Sequence, residues 1–497
     1  METKPIDSYD IELDKIPIQI HIYSQEGQPV PFYYLSLLNI TPQTKRIIER
    51  IREDLITRLS FELTKKQKHT QEGEKEIKDQ FAKSLKEILK TQFSNMDPGT
   101  TDLITNYILV TSLGLAEIEF LLKDPALEEI VVNGSKTPVW VYHRKHGWLK
   151  TNIMFDDKKI RHFSTLIGRK VDKGISVLEP LLDAHLETGD RVNATLSPIT
   201  TDGNTITIRK FAATPWAITS FIEGNTMDLT SAAIVWEAIQ YELSVLIVGG
   251  TGSGKTSFLN VLSSFFPPNQ RIISIEDTRE IQLPSTLHWV PMQSRLPNPE
   301  GKGGITMLDC MINTLRMRPD RIIVGEVRRE KELEVMFEAM HTGHSVYSTF
   351  HASSVDEAIA RLTNAPISLP KPLLSSLGLI VVQHRNRRTG KRRTFQIAEI
   401  SDTGNPTLIM QFDESADVMR QVNQPSRFIQ LLNLYTGMSA KQIYAEIQEK
   451  ISVLKWLVAK QVYDINQIGL IMSDYYTDKD YLMGLVKENK EYQVQGE

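Results

Sequence analysis

A glycine-rich segment near the middle of the chain has the residue types and spacing that bind phosphate. Residues 249–256 have the sequence GGTGSGKT, which fits the pattern G-x-x-x-x-G-K-[ST] at each fixed position. Successive backbone N–H groups of such a loop point at one anion, and the start of the following helix adds positive dipole. An apolar stretch before the segment and an amphipathic stretch after it predict a strand, a loop and a helix. The nucleotide-binding residues are therefore predicted to be Gly249, Gly250, Thr251, Gly252, Ser253, Gly254, Lys255, Thr256 and Ser257.

Two side chains of this segment have distinct predicted roles. The Lys255 ammonium is expected to reach the β- and γ-phosphates, and the Thr256 hydroxyl is expected to bind Mg²⁺. Nothing in the sequence specifies guanine, so ATP is the predicted nucleotide. The alternative is a glycine-rich turn without a ligand, which the matching flanks make the weaker interpretation.

Carboxylates follow two later apolar segments that resemble strands. Glu276 and Asp277 end the first, with Glu280 close behind, and Glu326 ends the second. Gly325 stands where an aspartate ordinarily supports the metal, so Glu276, Asp277 or Glu280 must do so. Hydrolysis of a phosphoanhydride also needs a group that orients water, and we predict Glu326 for it. The alternative for each carboxylate is a strand-end charge that faces solvent.

Three histidines form a further cluster. His341, His344 and His351 lie within one short segment, and His351 follows another apolar strand pattern. A zinc site is excluded there because the H-E-x-x-H motif is absent and no cysteine is near. We predict His344 and His351 as groups that sense the terminal phosphate, whereas a structural role is favoured for His341.

Composition limits the class of protein. The chain has 497 residues with 41% hydrophobic and 24% charged residues, which is ordinary globular usage. Its formal net charge of −4 argues against a generally basic nucleic-acid binder. A single cysteine, the absence of a signal-peptide pattern and the absence of a long apolar run predict a soluble, cytoplasmic protein.

Changes in hydrophobic periodicity divide the chain. Alternating isoleucines from Ile16 to Ile22 predict a hairpin, and helical spacing begins after Thr41-Pro42, with Ile47, Ile48, Ile51, Leu55 and Leu59. The predicted parts are a hairpin-like cap (1–40), a helical bundle (41–122), a small α/β domain (123–211), a linker (212–228), an α/β nucleotide-binding core (229–412) and a helical C-terminal part (413–497).

A strongly basic segment covers residues 385–393, where six of nine residues are cationic. The flanking apolar stretches and Gly390 predict a hairpin. A solvated turn near phosphate is the favoured interpretation. A surface for a membrane partner or anionic headgroups comes next, and a polynucleotide track is weakest because aromatic residues are not interleaved.

Four ordered segments together resemble one known family. They are the phosphate loop, IEDTREIQL, RPDRIIVGEVR and AMHTGHSVYSTFHA, which are similar to the Walker A, Asp box, Walker B and His box of secretion-superfamily ATPases. That family drives type II and type IV secretion and builds type IV pili and archaella. The N-terminal extension and the missing tetracysteine motif make the chain most similar to the archaeal E-type assembly ATPases.

The resemblance implies a fold and site roles. The expected fold is α/β: a RecA-like P-loop core, a smaller PAS-like N-terminal domain, an N-terminal helical extension and a C-terminal helical tail. Glu276 would organise the metal, Glu326 would be the catalytic glutamate, and Gly325 would match an atypical Walker B. Two arginines of the small domain, Arg191 and Arg209, would act as arginine fingers on the nucleotide.

The resemblance also implies partners. It implies a homo-hexamer at the inner face of the cell membrane, a polytopic membrane platform protein, and a pilin-like or secreted substrate moved indirectly. No nucleic acid is expected. The alternatives from other classes are a RecA-like nucleic-acid motor, which the net charge of −4 opposes, and a nucleotide-dependent scaffold that barely hydrolyses ATP.

Overall fold

The structure is a computed structural model that divides the chain into two compact units. The units are Met1–Ala213 and Thr214–Glu497. The described residues are 5–24, 27–37, 48, 51, 71–93, 96–171, 173–186, 188–211, 215–295, 297 and 301–493. The predicted helix that begins at Thr41 lies outside them except for Ile48 and Ile51, which are both buried.

The first unit contains a nine-stranded sheet with the strand order β1-β2-β3-β6-β5-β4-β9-β8-β7. All neighbours in it are antiparallel except β3 and β6, which are parallel. The strands are β1 (Asp7–Leu13), β2 (Ile16–Tyr23), β3 (Phe32–Leu37), β4 (Leu127–Asn133), β5 (Trp140–His143), β6 (Gly147–Thr151), β7 (Leu181–His185), β8 (Arg191–Thr195) and β9 (Thr205–Arg209). The described helices are α1 (Gln71–Gln92), α2 (Pro98–Leu113), α3 (Glu117–Lys123) and α4 (Asp157–Lys170).

The N-terminal strands form the predicted hairpin, and they are also part of this sheet, so the hairpin-like cap joins the strands of the small α/β domain. The four alternating isoleucines of β2 are fully buried, in the same core as helices α1 to α3. Strand β3 pairs with β6, and Tyr9 and Tyr33 each donate a hydrogen bond of 2.7 Å to the buried Asp124 carboxylate. A hairpin cannot bury an apolar face by itself, so it joins the neighbouring sheet.

The second unit also contains a nine-stranded sheet, with the order β12-β11-β13-β14-β10-β15-β16-β17-β18. In this sheet order, neighbouring strands are parallel from β12 at one edge as far as β15. From β15 to β18 at the other edge they are antiparallel. The strands are β10 (Ser244–Gly249), β11 (Arg271–Glu276), β12 (His288–Gln293), β13 (Arg321–Val324), β14 (Ser345–Phe350), β15 (Leu377–Arg385), β16 (Arg392–Ile400), β17 (Pro406–Asp413) and β18 (Val418–Gln421).

Helices cover this sheet and form the C-terminal part. They are α5 (Ile218–Glu223), α6 (Leu229–Gln240), α7 (Lys255–Ser263), α8 (Met307–Thr314), α9 (Glu330–His341), α10 (Val355–Thr363), α11 (Arg427–Thr436), α12 (Ala440–Ala459), α13 (Ile465–Thr477) and α14 (Lys479–Glu488), with a 3₁₀ turn at Lys371–Ser376. In the described residues, no single helix is long and apolar enough to cross a bilayer. Helices α2 and α3 together have the length and composition of a membrane span, but they are bent by 103° relative to each other.

Two predicted boundaries of this unit are corrected. Residues 218–223 of the predicted linker form α5, whose Ile218 and Phe221 are buried in the core of the unit. The predicted helical C-terminal part begins instead with strand β18, which pairs with β17, and becomes helical only at Arg427. Residues 218–223 gain burial in the core, whereas the mostly exposed β18 gains backbone pairing with β17, and both local patterns are too short to show this.

A buried ion pair ties α12 to α6. The Lys450 ammonium contacts the Glu237 carboxylate, and both side chains are fully buried. Lys450 also lies 3.1 Å from Glu446 and 5.6 Å from the ring centre of Trp236. Burial raises the pKa of Glu237 to about 7 even beside this ammonium. Glu237 depends on this pair, because its carboxylate would be left in the core without a counter-charge if Lys450 were removed, whereas Lys450 also contacts Glu446.

Replacing Lys450 with Met is expected to lower the free energy of unfolding by about 3–5 kcal/mol, because it leaves the Glu237 carboxylate buried and unpaired. The double variant Glu237→Leu/Lys450→Met should recover most of this loss. Urea unfolding of the full chain measures both values. Lys455→Met is the matched control, since Lys455 is exposed on the same helix. A loss of unfolding free energy in Lys455→Met equal to that in Lys450→Met would contradict the prediction.

Candidate active site

The predicted strand, loop and helix of the phosphate-binding segment are present as β10, residues 250–254 and α7. Gly252 and Gly254 have φ angles of +70° and +92°, which residues with a Cβ rarely adopt. A Cβ at Gly249 would lie only 2.4 Å from the backbone oxygen of Gln383. Glycine is therefore required at these three positions by backbone conformation or by close approach.

The Lys255 side chain folds back over the loop. Its ammonium donates hydrogen bonds to the carbonyls of Gly249 at 3.0 Å and Gly250 at 3.1 Å. It also lies 3.5 Å from Nδ1 of His351, and burial lowers the pKa of Lys255. Thr256 follows it in the first turn of α7. A cation and a hydroxyl thus stand beside the N-terminus of a helix, as an anion site requires.

The parallel strands bring the predicted acids and His351 to the same edge of the sheet as the loop. Strand β14 lies between β10 and β13, and β11 lies next to β13. Strand β14 leads into His351, strand β13 leads into Gly325 and Glu326, and strand β11 ends at Glu276. These residues come from three separate segments of the sequence, and the sheet order places them side by side next to the phosphate loop.

Glu326 is the acid that the site holds most specifically. Its Oε1 lies 2.7 Å from Nε2 of His351, and its Oε2 accepts a hydrogen bond of 2.9 Å from Nε of Arg328. The pKa of His351 is lowered, mainly by burial and also by the Lys255 charge. A neutral His351 that accepts from Lys255 at Nδ1 carries its proton on Nε2, which faces Oε1 of Glu326 at 2.7 Å without forming a hydrogen bond to it. The hydrogen bonds from Arg328 and the close His351 ring together orient the Glu326 carboxylate.

Glu276 is a buried carboxylate with one oxygen unsatisfied. Its Oε1 accepts hydrogen bonds from the backbone N–H groups of Glu280 at 2.8 Å and Ile281 at 3.0 Å. Within the described part of the chain, Oε2 is buried and has no hydrogen-bond partner. Burial raises the pKa of Glu276 to about 7. A bound cation or its water would satisfy this oxygen and favour the charged carboxylate.

The close contact between Gly325 and Glu276 explains the unusual glycine. A Cβ at position 325 would lie 3.1 Å from Cγ of Glu276. The Glu276 side chain therefore occupies the space next to β13 that an aspartate at 325 would need. A carboxylate therefore lies beside β13 even without an aspartate at 325, and it comes from the neighbouring strand β11.

The residues present fit Mg²⁺. The Thr256 hydroxyl and the Glu276 carboxylate are hard oxygen ligands, and Mg²⁺ usually takes only one or two protein oxygens beside phosphates and water. Among the described residues, no group of three or more His, Cys, Asp or Glu side chains could hold a metal by itself. Asp277 is mainly engaged elsewhere, because its Oδ1 accepts from Ser294 at 2.8 Å.

The structure does not bring His344 to this site. His344 precedes β14 and His351 follows it, so the two lie at opposite ends of the strand. Six strand residues span about 20 Å. Nδ1 of His344 lies 3.1 Å from the Thr342 hydroxyl and 3.2 Å from the Ala339 carbonyl oxygen. The prediction that His344 senses phosphate is therefore corrected for the site within one chain, and His341 lies exposed at the end of α9.

Arg191 and Arg209 belong to the first unit, where they form a pair. They are directly opposite each other on β8 and β9, and both are exposed. Nη2 of Arg191 donates to Oδ2 of Asp183 at 3.2 Å. Arg191 begins β8 and Arg209 ends β9, so the two residues lie at the same end of neighbouring strands, and their contact with a nucleotide stays a prediction.

The sequence predicts a basic turn near phosphate at residues 385–393, but it does not assign Arg385 or Arg392 to the candidate site. Nε of Arg392 donates a hydrogen bond of 3.1 Å to the carbonyl of Gly252, and Nη1 of Arg385 lies 3.2 Å from where a Cβ at Gly252 would be. Arg387 and Arg388 at the tip of the turn are exposed, as a solvated turn predicts. Arg385 and Arg392 instead lie against the phosphate loop. The hairpin pattern could have revealed them, since equal distances from its turn place them opposite each other.

Comparison with known proteins identifies the family. Residues 175–458 match the family model described as Type II/IV secretion system protein, which is more than half of the chain. The chain is a secretion-superfamily ATPase. Protein MJ0900 of Methanocaldococcus jannaschii is 32% identical to this ATPase over 384 residues, which cover 74% of the chain and 69% of the relative.

Two further relatives show how widely the match extends. Protein MJ0781 of the same organism is 38% identical over 357 residues, 68% of this ATPase but only 46% of the relative. The chain therefore spans less than half the length of MJ0781. The type IV secretion system protein PtlH of Bordetella pertussis is 30% identical over 304 residues, 54% of this ATPase and 88% of PtlH.

Proposed function

We propose that this chain hydrolyses ATP with Mg²⁺ and that turnover powers a membrane-bound machine. The machine assembles a pilus- or archaellum-like filament or secretes protein, and its platform is a polytopic membrane protein. The observation that carries the proposal is the meeting of Lys255, His351 and Glu326 at the phosphate loop, with linking distances of 3.5 Å and 2.7 Å. Family membership supports the same activity.

The proposed chemistry follows from the position of each group. The loop N–H groups and Lys255 hold the phosphates, and Glu326 orients the attacking water and takes up its proton. His351 keeps the Glu326 carboxylate in place through the 2.7 Å contact. Thr256 and Glu276 would hold Mg²⁺, which neutralises phosphate charge when bound.

The assembly is the less direct part of the proposal. We infer a homo-hexamer at the inner face of the cell membrane, most similar to archaeal E-type assembly ATPases. Residues 123–211 act as a PAS-like domain whose Arg191 and Arg209 compensate the charge of the terminal phosphate. The paired, exposed placement of these two arginines supports that role.

Phosphate release by the purified full chain tests the activity. We expect continuous release that requires both ATP and Mg²⁺ and stops when the metal is chelated. Tight ATP binding without release would instead indicate a nucleotide-dependent scaffold. Filter binding of DNA and RNA over a salt series tests the nucleic-acid motor, since such binding should weaken steeply with salt; we expect none.

A further inference from the structure

The sheet gives the nucleotide site two distinct sides. Strand β10, which leads into the phosphate loop, has β14 on one side and β15 on the other. His351 and Glu326 lie on the β14 side. If Glu326 orients the attacking water, as proposed above, the terminal phosphate must lie on that side. The α-phosphate and the nucleoside then extend toward β15 and β16.

Two arginines occupy this second side. Arg385 ends β15 and Arg392 begins β16, and the two are direct partners in the antiparallel ladder. Besides the 3.1 Å hydrogen bond from Arg392 to Gly252, Cδ of Arg392 lies 3.4 Å from where a Cβ at Gly254 would be. Both guanidinium groups therefore flank the phosphate loop on the side away from Glu326.

The two residues beside Arg392 differ from it, because both pair with a carboxylate. Arg393 binds both carboxylate oxygens of Asp417, at 2.8 Å and 3.0 Å, and Lys391 lies 3.4 Å from the same carboxylate. In the described residues no carboxylate pairs with Arg392, and its side-chain hydrogen bond to Gly252 uses Nε alone. Its Nη donors and its charge remain for an anion beside the loop, and guanidinium groups suit phosphate oxygens.

We propose that Arg392, supported by Arg385, binds the nucleotide on its α-phosphate side. This inference rests on the proposed ATPase activity and adds the residues that set nucleotide affinity. A contact on this side is the same for ATP, ADP and the transition state, so it contributes uniform binding. Loss of the contact raises the Kd of both nucleotides and the KM for ATP, and it leaves kcat unchanged.

The test compares Arg392→Gln with Arg387→Gln. Both substitutions remove one positive charge from the same hairpin, but Arg387 is exposed at its tip. For Arg392→Gln we expect Kd to rise about tenfold or more for both ATP and ADP, since hydrogen bonds to charged groups are strong, with kcat within about twofold of wild type. Arg387→Gln should match wild type in both measurements. Circular dichroism melting checks that each variant is folded.

Three results would overturn the inference. Unchanged affinity in Arg392→Gln would show that the arginine does not contact the nucleotide. A loss for ATP with none for ADP would place it at the terminal phosphate. A fall in kcat with unchanged KM would show that it only shapes the loop. If wild type releases phosphate in the same assay, each of these results leaves the proposed ATPase activity standing.

Discussion

Replacing Glu326 with Gln is expected to slow ATP hydrolysis at saturating ATP by about 10²–10⁴-fold, the usual contribution of a general base. The amide keeps the size of the side chain, and its oxygen can still accept the hydrogen bond from Arg328, but it cannot take up the proton of water. ATP affinity should stay near that of wild type, because phosphate is held by Lys255 and the loop. Phosphate release and nucleotide binding measure the two quantities separately.

The matched control for this prediction is Glu334→Gln. Glu334 is an exposed acid on α9, so the same substitution there should leave turnover unchanged. Turnover near the wild-type rate in Glu326→Gln would show that another group activates the water. The chain of contacts from Lys255 through His351 to Glu326 would then be structural.

Replacing Glu276 with Gln is expected to reduce turnover at low Mg²⁺ by about 10–100-fold, the usual loss when a group that supports a bound metal is removed. The substitution removes the buried charge whose free oxygen, Oε2, would bind the cation or its water. A titration of Mg²⁺ at saturating ATP measures the effect, and excess metal should restore part of the activity.

Asp277→Asn provides the control for the metal site. Asp277 is the next residue along the chain, but its side chain is exposed and accepts a hydrogen bond from Ser294. Its Mg²⁺ requirement should match that of wild type. A shifted requirement in Asp277→Asn together with a normal one in Glu276→Gln would move the metal site from the buried acid to the exposed one.

The sequence predicts the centre of the candidate site well because it depends on local patterns. An apolar strand followed by a glycine-rich loop or by an acid is visible within about ten residues, and parallel strands present their carboxyl ends at one edge. The same reasoning fails for His344, since it precedes its strand, whereas His351 follows it. Two residues that are close in sequence can lie at opposite ends of one strand.

Pairings between distant segments account for most of the remaining differences. The contact of β3 with β6 joins segments far apart in the chain, so no local pattern announces it. The orphaned oxygen of Glu276 depends on burial by several elements. Arg385 and Arg392 are an intermediate case, because their pairing follows from the hairpin but their contact with the phosphate loop requires the position of β15 beside β10.

The distance of 3.1 Å between a hypothetical Cβ at position 325 and Cγ of Glu276 also bears on how the family can diversify. An aspartate at 325 would crowd the glutamate at 276, so the two acids fit together only if the Glu276 side chain shifts. A chain that gains the aspartate at 325 first is crowded, and a chain that loses the glutamate at 276 first lacks the acid. The two positions should therefore covary among homologues as an epistatic pair, with one acid shared between two neighbouring strands.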